Sequence, residues 1–175
     1  MQDYRLFDRL SVIHVKHSVI AVICFLLLAG CGFKLRGAYK LPVEMQITYV
    51  DAAQKDASLI RALIRGLKAS DIKIAEKATD DIAVLKLTKE SRSKRIVSVD
   101  ASGRAREYTL TYGIDFQVKA LAGKFEIKNQ TISIDRDFQF DTEDVLGNSR
   151  EESQLYEEMQ QDLIRLILLR LQSKA

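Results

Sequence analysis

Histidine and cysteine are nearly missing from this chain of 175 residues, which holds two of each. Three of those four, His14, His17 and Cys24, fall within the first 30 residues, a stretch that reads as a removable leader. Cys31 is then the one thiol of the mature chain, and no histidine remains. Their scarcity excludes disulfides, Ser-His-Asp triads and the usual zinc ligand sets. Carboxylate pairs and Ser-Lys dyads survive by residue type alone, but no spacing singles one out, so no catalytic residue and no metal are expected. An excess of either charge is also missing. Past residue 30 the chain has 24 basic and 22 acidic residues, not the clustered basic surplus that nucleic-acid binding calls for. Long hydrophobic runs are absent as well: SVIAVICFLLL, residues 18–28, is too short for a hydrocarbon core of about 30 Å.

That short run has the length of a signal-peptide core and ends in Leu28-Ala29-Gly30-Cys31. The four residues resemble the lipobox of bacterial lipoproteins, where small residues before the cysteine admit the signal peptidase to the backbone. The resemblance implies cleavage before Cys31, diacylglycerol on its thiol and an acyl group on its new amino terminus. No other cofactor is expected. Two or more acyl chains, at about 0.8 kcal/mol per CH₂, hold a protein on a bilayer where one would not. Gly32 follows, not the aspartate that resembles an inner-membrane retention signal, so delivery to the outer membrane is expected. The chain thus divides into a leader (1–30), a lipidated arm (31–44) around the only proline, Pro42, and a domain (45–175).

Within the domain, MQITYV (45–50) reads as a first strand. Leu59, Ile60, Leu63, Ile64 and Leu67 share one face of a helix that Asp56 or Ser58 can cap. Residues 71–76 alternate briefly. Residues 82–99 have apolar ends and a basic middle, which predicts one long bulged strand or two strands. From Tyr108 to Ala120 apolar and polar residues alternate without a break, the signature of a half-buried strand. Turns are expected at Asp100–Gly103 and Leu121–Lys124. Ile132, Ile134, Phe138 and Phe140 continue an inward face, with Arg136 at the same parity and in need of a partner if buried. Ser149 and Glu152 have capping-box spacing ahead of a long helix whose last turns are apolar on more than one face. The order predicts an α/β (α+β) two-layer sandwich, with a mixed sheet of about four strands and two helices on one face.

Charge is uneven along this order. Residues 86–106 hold seven basic residues against Glu90 and Asp100, and residues 135–162 hold ten acidic residues against Arg136 and Arg150. The two regions read either as solvated faces or, for the basic one, as a phosphate-binding surface, since arginine grips phosphate bidentately. For an exported lipoprotein the anionic polymer at hand is lipopolysaccharide, and no nucleic acid is expected.

The start CGFKLRG, Leu41-Pro42 before the first strand, the run Ser102-Gly103-Arg104-Ala105-Arg106-Glu107-Tyr108, and the Arg136 strand leading into a helix that ends RLILLRL together resemble the LPS-assembly lipoprotein LptE family. The resemblance spans essentially the whole mature chain. It implies a non-catalytic outer-membrane lipoprotein that faces the periplasm, plugs and supports the β-barrel of its partner LptD, and assists lipopolysaccharide assembly at the cell surface. It also associates basic residues near the turn and before the last helix with lipopolysaccharide. The candidates here are Arg92, Lys94, Arg95, Arg104, Arg106 and Arg150. An envelope lipoprotein acting through protein contacts alone, and a carboxylate hydrolase, are the alternatives left by residue types.

Overall fold

The computed structural model describes residues 39–52, 56–120 and 124–174. The expected leader, Cys31 and the arm up to residue 38 lie outside them, as do Leu121, Ala122 and Gly123 of the second expected turn. The described residues fall within one unit, residues 38–175.

Five strands make one sheet: β1 (Ile47–Asp51), β2 (Lys73–Ile74), β3 (Ala83–Val99), β4 (Ala105–Ala120) and β5 (Phe125–Gln139). Their order is β2-β1-β3-β4-β5. β1 runs parallel to β2 and β3, while β3, β4 and β5 are antiparallel. The expected mixed sheet is there, with one strand more than expected; the addition is the two-residue β2, which lies within the briefly alternating segment 71–76. Two helices, α1 (Ala57–Lys68) and α2 (Val145–Gln172), cover one face.

The alternation along β4 is the backbone of the core. Leu110, Tyr112, Ile114, Phe116, Val118 and Ala120 are all buried and join Leu59, Leu63 and Leu67 of α1 and Leu163, Ile167 and Leu171 of α2 in a single cluster. β1 starts two residues later than the expected strand: Val43–Met45 form a 3-10 turn that buries Met45 completely, and Tyr39 and Leu41, from the end of the expected arm, also pack on the core.

Asp56 caps α1, its Oδ1 accepting the Ser58 N–H at 2.6 Å. At the far end Asp71 adopts a left-handed φ of 62°. Ile72 N–H then donates to the Leu67 carbonyl at 3.1 Å, which turns the chain into β2. α2 starts earlier than the Ser149 spacing predicts, because Asp144 Oδ1 accepts the Gly147 N–H at 2.8 Å and serves as the cap. Asn148, buried one turn later, holds the incoming loop through both the N–H and the carbonyl of Asp141.

The doubly apolar end of α2 is covered twice, by the sheet and by α1. Gly66 of α1 makes this possible: a Cβ there would lie 2.9 Å from Leu168 Cδ1 and 3.4 Å from Ile164 Cγ2. Gly66→Val is expected to cost about 1–3 kcal/mol by overpacking. Gly66→Ala should be near neutral, since the flexible Leu168 end can yield and alanine gains about 1 kcal/mol in helix propensity. Urea unfolding of the two variants checks this, and equal loss in both would rule out the contact as the cause.

β3 and β5 each carry an extra residue at one level, and the β3–β4 register is irregular again between Ile96 and Val99, near the turn. The β3–β4 register jumps between Leu87 and Lys89, and the β4–β5 register jumps between Phe116 and Val118. Thr88 Oγ1 donates to Asn129 Oδ1 at 2.9 Å across this level. The extra residue on β3 reverses its parity. Ala83, Leu85 and Leu87 face the core before it; past it, Glu90, Arg92, Lys94 and Ile96 lie on the helix side.

Candidate functional site

The basic run lies on the β3–β4 hairpin, and its turn is built around one carboxylate. Asp100 Oδ1 accepts from Ser102 N at 2.8 Å, Ser102 Oγ at 2.6 Å and Arg104 N at 3.0 Å. Gly103 supplies the φ of 81° that the turn needs. Those donors, the Ser102 hydroxyl foremost and then the Arg104 amide, hold the Asp100 carboxyl down to about 2. Arg104 Nε in turn reaches Ser102 Oγ at 2.9 Å and Asp100 Oδ2 at 3.5 Å, with its side chain 68% exposed.

Parity separates the candidates that sequence alone groups together. Arg92 and Lys94 point toward the helices and are engaged there. Arg92 lies 3.0 Å from Asp56 Oδ2, 3.5 Å from Glu90 Oε1 and 2.8 Å from the Tyr112 hydroxyl, with its guanidinium 4.4 Å from the Tyr112 ring centre. Burial by itself would lower the guanidinium's affinity for its proton, but the Tyr112 bond and the two carboxylates outweigh it and keep it raised. The Asp56 carboxyl is lowered, first by the Ser58 hydroxyl and then by the Ser58 amide. Tyr112 donates to Glu90 Oε1 at 2.7 Å, and Glu90 Oε2 accepts the Asp56 amide at 2.9 Å. One network therefore joins β3, β4 and the start of α1.

Lys94 sits over three rings, with Nζ 4.2 Å from Tyr108, 5.0 Å from Phe138 and 5.8 Å from Phe140. Its ion pair with Glu152 of α2, at 2.6 Å, closes the aromatic box from above. Arg136 finds the partner that its parity demanded in Asp162 of α2, at 2.8 Å.

Arg95 faces the other way, into the open face of the sheet, and is exposed. That face is made of cross-strand rows: Arg95, Thr109 and Asp137; then Ser93, Thr111 and Asp135; then Ser91, Gly113 and Ser133; then Lys89, Asp115 and Thr131. Threonine hydroxyls donate to the acids within two rows, Thr111 to Asp135 at 2.7 Å and Thr109 to Asp137 at 3.1 Å. Gly113 keeps the centre low, since a Cβ there would lie 3.0 Å from Ser91 Oγ. The result is a shallow hydroxylated surface, basic along β3 and acidic along β5.

Arg106 borders a cleft of about 620 Å³ between the sheet end and the start of α2. Glu107, Asp141, Asp144 and Glu151 line it too, so the cleft is net negative around its single arginine. Arg150 is exposed on α2 in a shallow depression beside Leu146, Ser149 and Glu157. Exposed apolar side chains flank the basic ones: Ile96, Val97 and Val99 on the hairpin, Val145 and Leu146 on α2. The hairpin is thus amphipathic, with Arg95 and Arg104 beside branched apolar residues. Cys31 lies outside the described residues.

The aromatic box and the Arg92 network escape a reading of composition, because both depend on the parity reversal at Thr88. The one signal was Tyr108, Tyr112, Phe138 and Phe140 at inward parity opposite a charged stretch.

With that geometry in hand, the comparisons with known proteins are decisive. The family model for LptE, lipopolysaccharide-assembly, matches residues 39–171. The chain belongs to the LptE family. It is similar to the LPS-assembly lipoprotein LptE of Photorhabdus laumondii subsp. laumondii, 27% identical over 161 residues that cover 90% of this chain and 87% of the relative. The Pectobacterium atrosepticum protein of the same name is 28% identical over 160 residues, covering 89% and 86%. Among solved structures, the rare lipoprotein B of Shewanella oneidensis superposes with a TM-score of 0.65 at 28% identity, covering 73% of this chain and 94% of that one. An uncharacterized lipoprotein B of Nitrosomonas europaea gives 0.65 at 29%, covering 78% and 88%. Family membership makes the chain an envelope-associated assembly lipoprotein and not an enzyme. Among the described residues no helix is long and apolar enough to cross a membrane.

Proposed function

We propose that this LptE-family chain is anchored in the outer membrane by lipid on Cys31, faces the periplasm, and occupies and supports the lumen of an LptD-like β-barrel while lipopolysaccharide passes to the cell surface. The observation that carries the reading is the open face of the sheet. This face offers rows of serine and threonine between a basic edge on β3 and an acidic one on β5. Such a surface suits the polar interior of a wide barrel. Arg95 and Arg104, exposed beside Ile96, Val97 and Val99, pair cationic groups with apolar ones, as a phosphorylated lipid requires.

The test is a mild-detergent pull-down of the lipidated protein from outer membranes, with partners identified by mass spectrometry and lipopolysaccharide assayed in the eluate. A stoichiometric large β-barrel is the expected result; its absence would reject the plug. For the ligand, Arg104→Glu with Arg106→Glu should weaken lipopolysaccharide binding without unfolding the domain. The single variants divide the effect, with Arg104→Glu expected to carry most of it, because the acids around Arg106 already repel phosphate. Unchanged binding by the folded double variant would remove this turn from the ligand site.

A further inference from the structure

β3 is 17 residues long, but β1 pairs with it only from Ala83 to Lys86. Beyond that point no described strand lies on its outer side. From Lys89 to Ile96 the pairing with β4 on its inner side runs in unbroken register, an edge of roughly 26 Å at about 3.3 Å per residue. In an antiparallel pair alternate residues turn their N–H and C=O away from the neighbour, so this stretch presents a row of unmatched backbone groups. Among the described residues the one further contact to that row is the Tyr156 hydroxyl, which donates to the Ser93 carbonyl at 3.2 Å.

We propose that the β3 edge from Lys89 to Ile96 is a docking site for an extended acidic segment of a partner protein, which adds to the sheet beside β3. The inference goes beyond the barrel and lipopolysaccharide reading and stands without it. Side chains next to the edge set the partner's chemistry. On the helix side Glu90, Arg92 and Lys94 already have partners in Tyr112, Asp56 and Glu152. On the open side Lys89 and Arg95 make no ion pair among the described residues, with the small Ser91 and Ser93 between them. A strand laid alongside with acids opposite Lys89 and Arg95 satisfies both charges and continues the hydroxylated face by one row. Ile96 and Val97, each more than half exposed, offer apolar contact at the end of the edge.

Charge also argues against a second copy of this chain as the occupant. Antiparallel pairing of two β3 edges about Arg92 sets Lys89 against Arg95 twice on the open face, where no acid of the edge offsets them, while Arg92 against Arg92 on the helix side lies between two Glu90–Lys94 pairs. Like charges directly opposite destabilise such a pair.

The probe is a capped ten-residue peptide of alternating glutamate and valine, fluorescently labelled and titrated into the full lipidated chain in detergent. Its counterparts are a lysine-for-glutamate version and two acidic versions, N-methylated on the odd or on the even amides. The acidic peptide should bind about tenfold more tightly than the lysine peptide and slow amide exchange across Lys89–Ile96. Methylation of one set of amides should abolish binding and methylation of the other should leave it nearly intact, because only one set can meet the edge. Lys89→Glu with Arg95→Glu should reverse the charge preference. Equal binding by the two methylated peptides would reduce the effect to surface charge and overturn strand addition. Absence of binding would leave the basic edge as a guard against aggregation, and a dimer that buries the edge in sedimentation would assign it to a second copy; either result overturns the proposal.

Discussion

Cys31→Ala is expected to leave the protein with no acyl label and without stable attachment to membranes. Three features of the sequence converge on this cysteine: an 11-residue apolar run at 18–28, the small pair Ala29-Gly30, and the lack of any other thiol past the leader. Each buried CH₂ contributes about 0.8 kcal/mol, so two or more chains give anchoring that no surface feature of the domain replaces. Metabolic labelling with a radioactive fatty acid, followed by a high-salt and carbonate wash, reads both consequences. Wild type should be labelled and stay with the membrane; the variant should be unlabelled and accumulate as precursor or in the wash. Cys24→Ala, within the same apolar run, is the control and should label normally. Normal labelling of Cys31→Ala would reject lipidation at this residue, whereas loss of label in both variants would point to a damaged signal instead.

Elements whose period runs uninterrupted were legible in the sequence. The Tyr108–Ala120 alternation became β4, with its inward residues buried from Leu110 onward and Tyr108 half-buried, and Leu59, Leu63 and Leu67 became the buried stripe of α1 under the Asp56 cap. What failed to show were features set by a single residue's geometry. Ser149 and Glu152 have the spacing of a capping box, but Asp144 lies where Gly147 and Asn148 let the chain fold over its carboxylate, so the helix begins there. The site suffered most, because one extra residue at Thr88 decides the side on which every later charge of β3 emerges. Counting parity from Leu85 and Leu87 would send Arg92 and Lys94 into solvent and turn Arg95 inward. The fold does the reverse, engaging two basic residues with rings and carboxylates on the helix side and leaving Arg95 on the open face of the sheet. Composition counts seven positive charges in this run; only the bulge tells which of them remain available.

The network around the buried Tyr112 ring makes the other large effect. Its ring is fully buried between Arg92 and Tyr156, while its hydroxyl donates to Glu90 and accepts from Arg92. Tyr112→Ala should cost about 4 kcal/mol, the usual loss for a large buried aromatic, and lower the Tm by roughly 10 °C. Tyr112→Phe keeps the ring and removes only the hydroxyl, so a loss of about 1–2 kcal/mol is expected, mostly from the Glu90 carboxylate left short of a donor. The pH dependence identifies the hydroxyl directly. Burial first, and the neighbouring Glu90 carboxylate next, push the Tyr112 hydroxyl well above its ordinary value of 10, with Arg92 pulling the other way. A folded pKa above the unfolded one means that this contribution is whole below pH 10 and is lost as pH climbs past it. Wild type should therefore lose stability between pH 10 and pH 11.5 more steeply than Tyr112→Phe, and the two curves should converge there. Parallel curves would show that the hydroxyl is not held in this network. Because the same contacts fasten β3 to β4 and to α1, the Phe variant should also raise amide exchange along Lys89–Ile96, loosening the edge and the basic hairpin together while the α1–α2 contact at Gly66 keeps its protection.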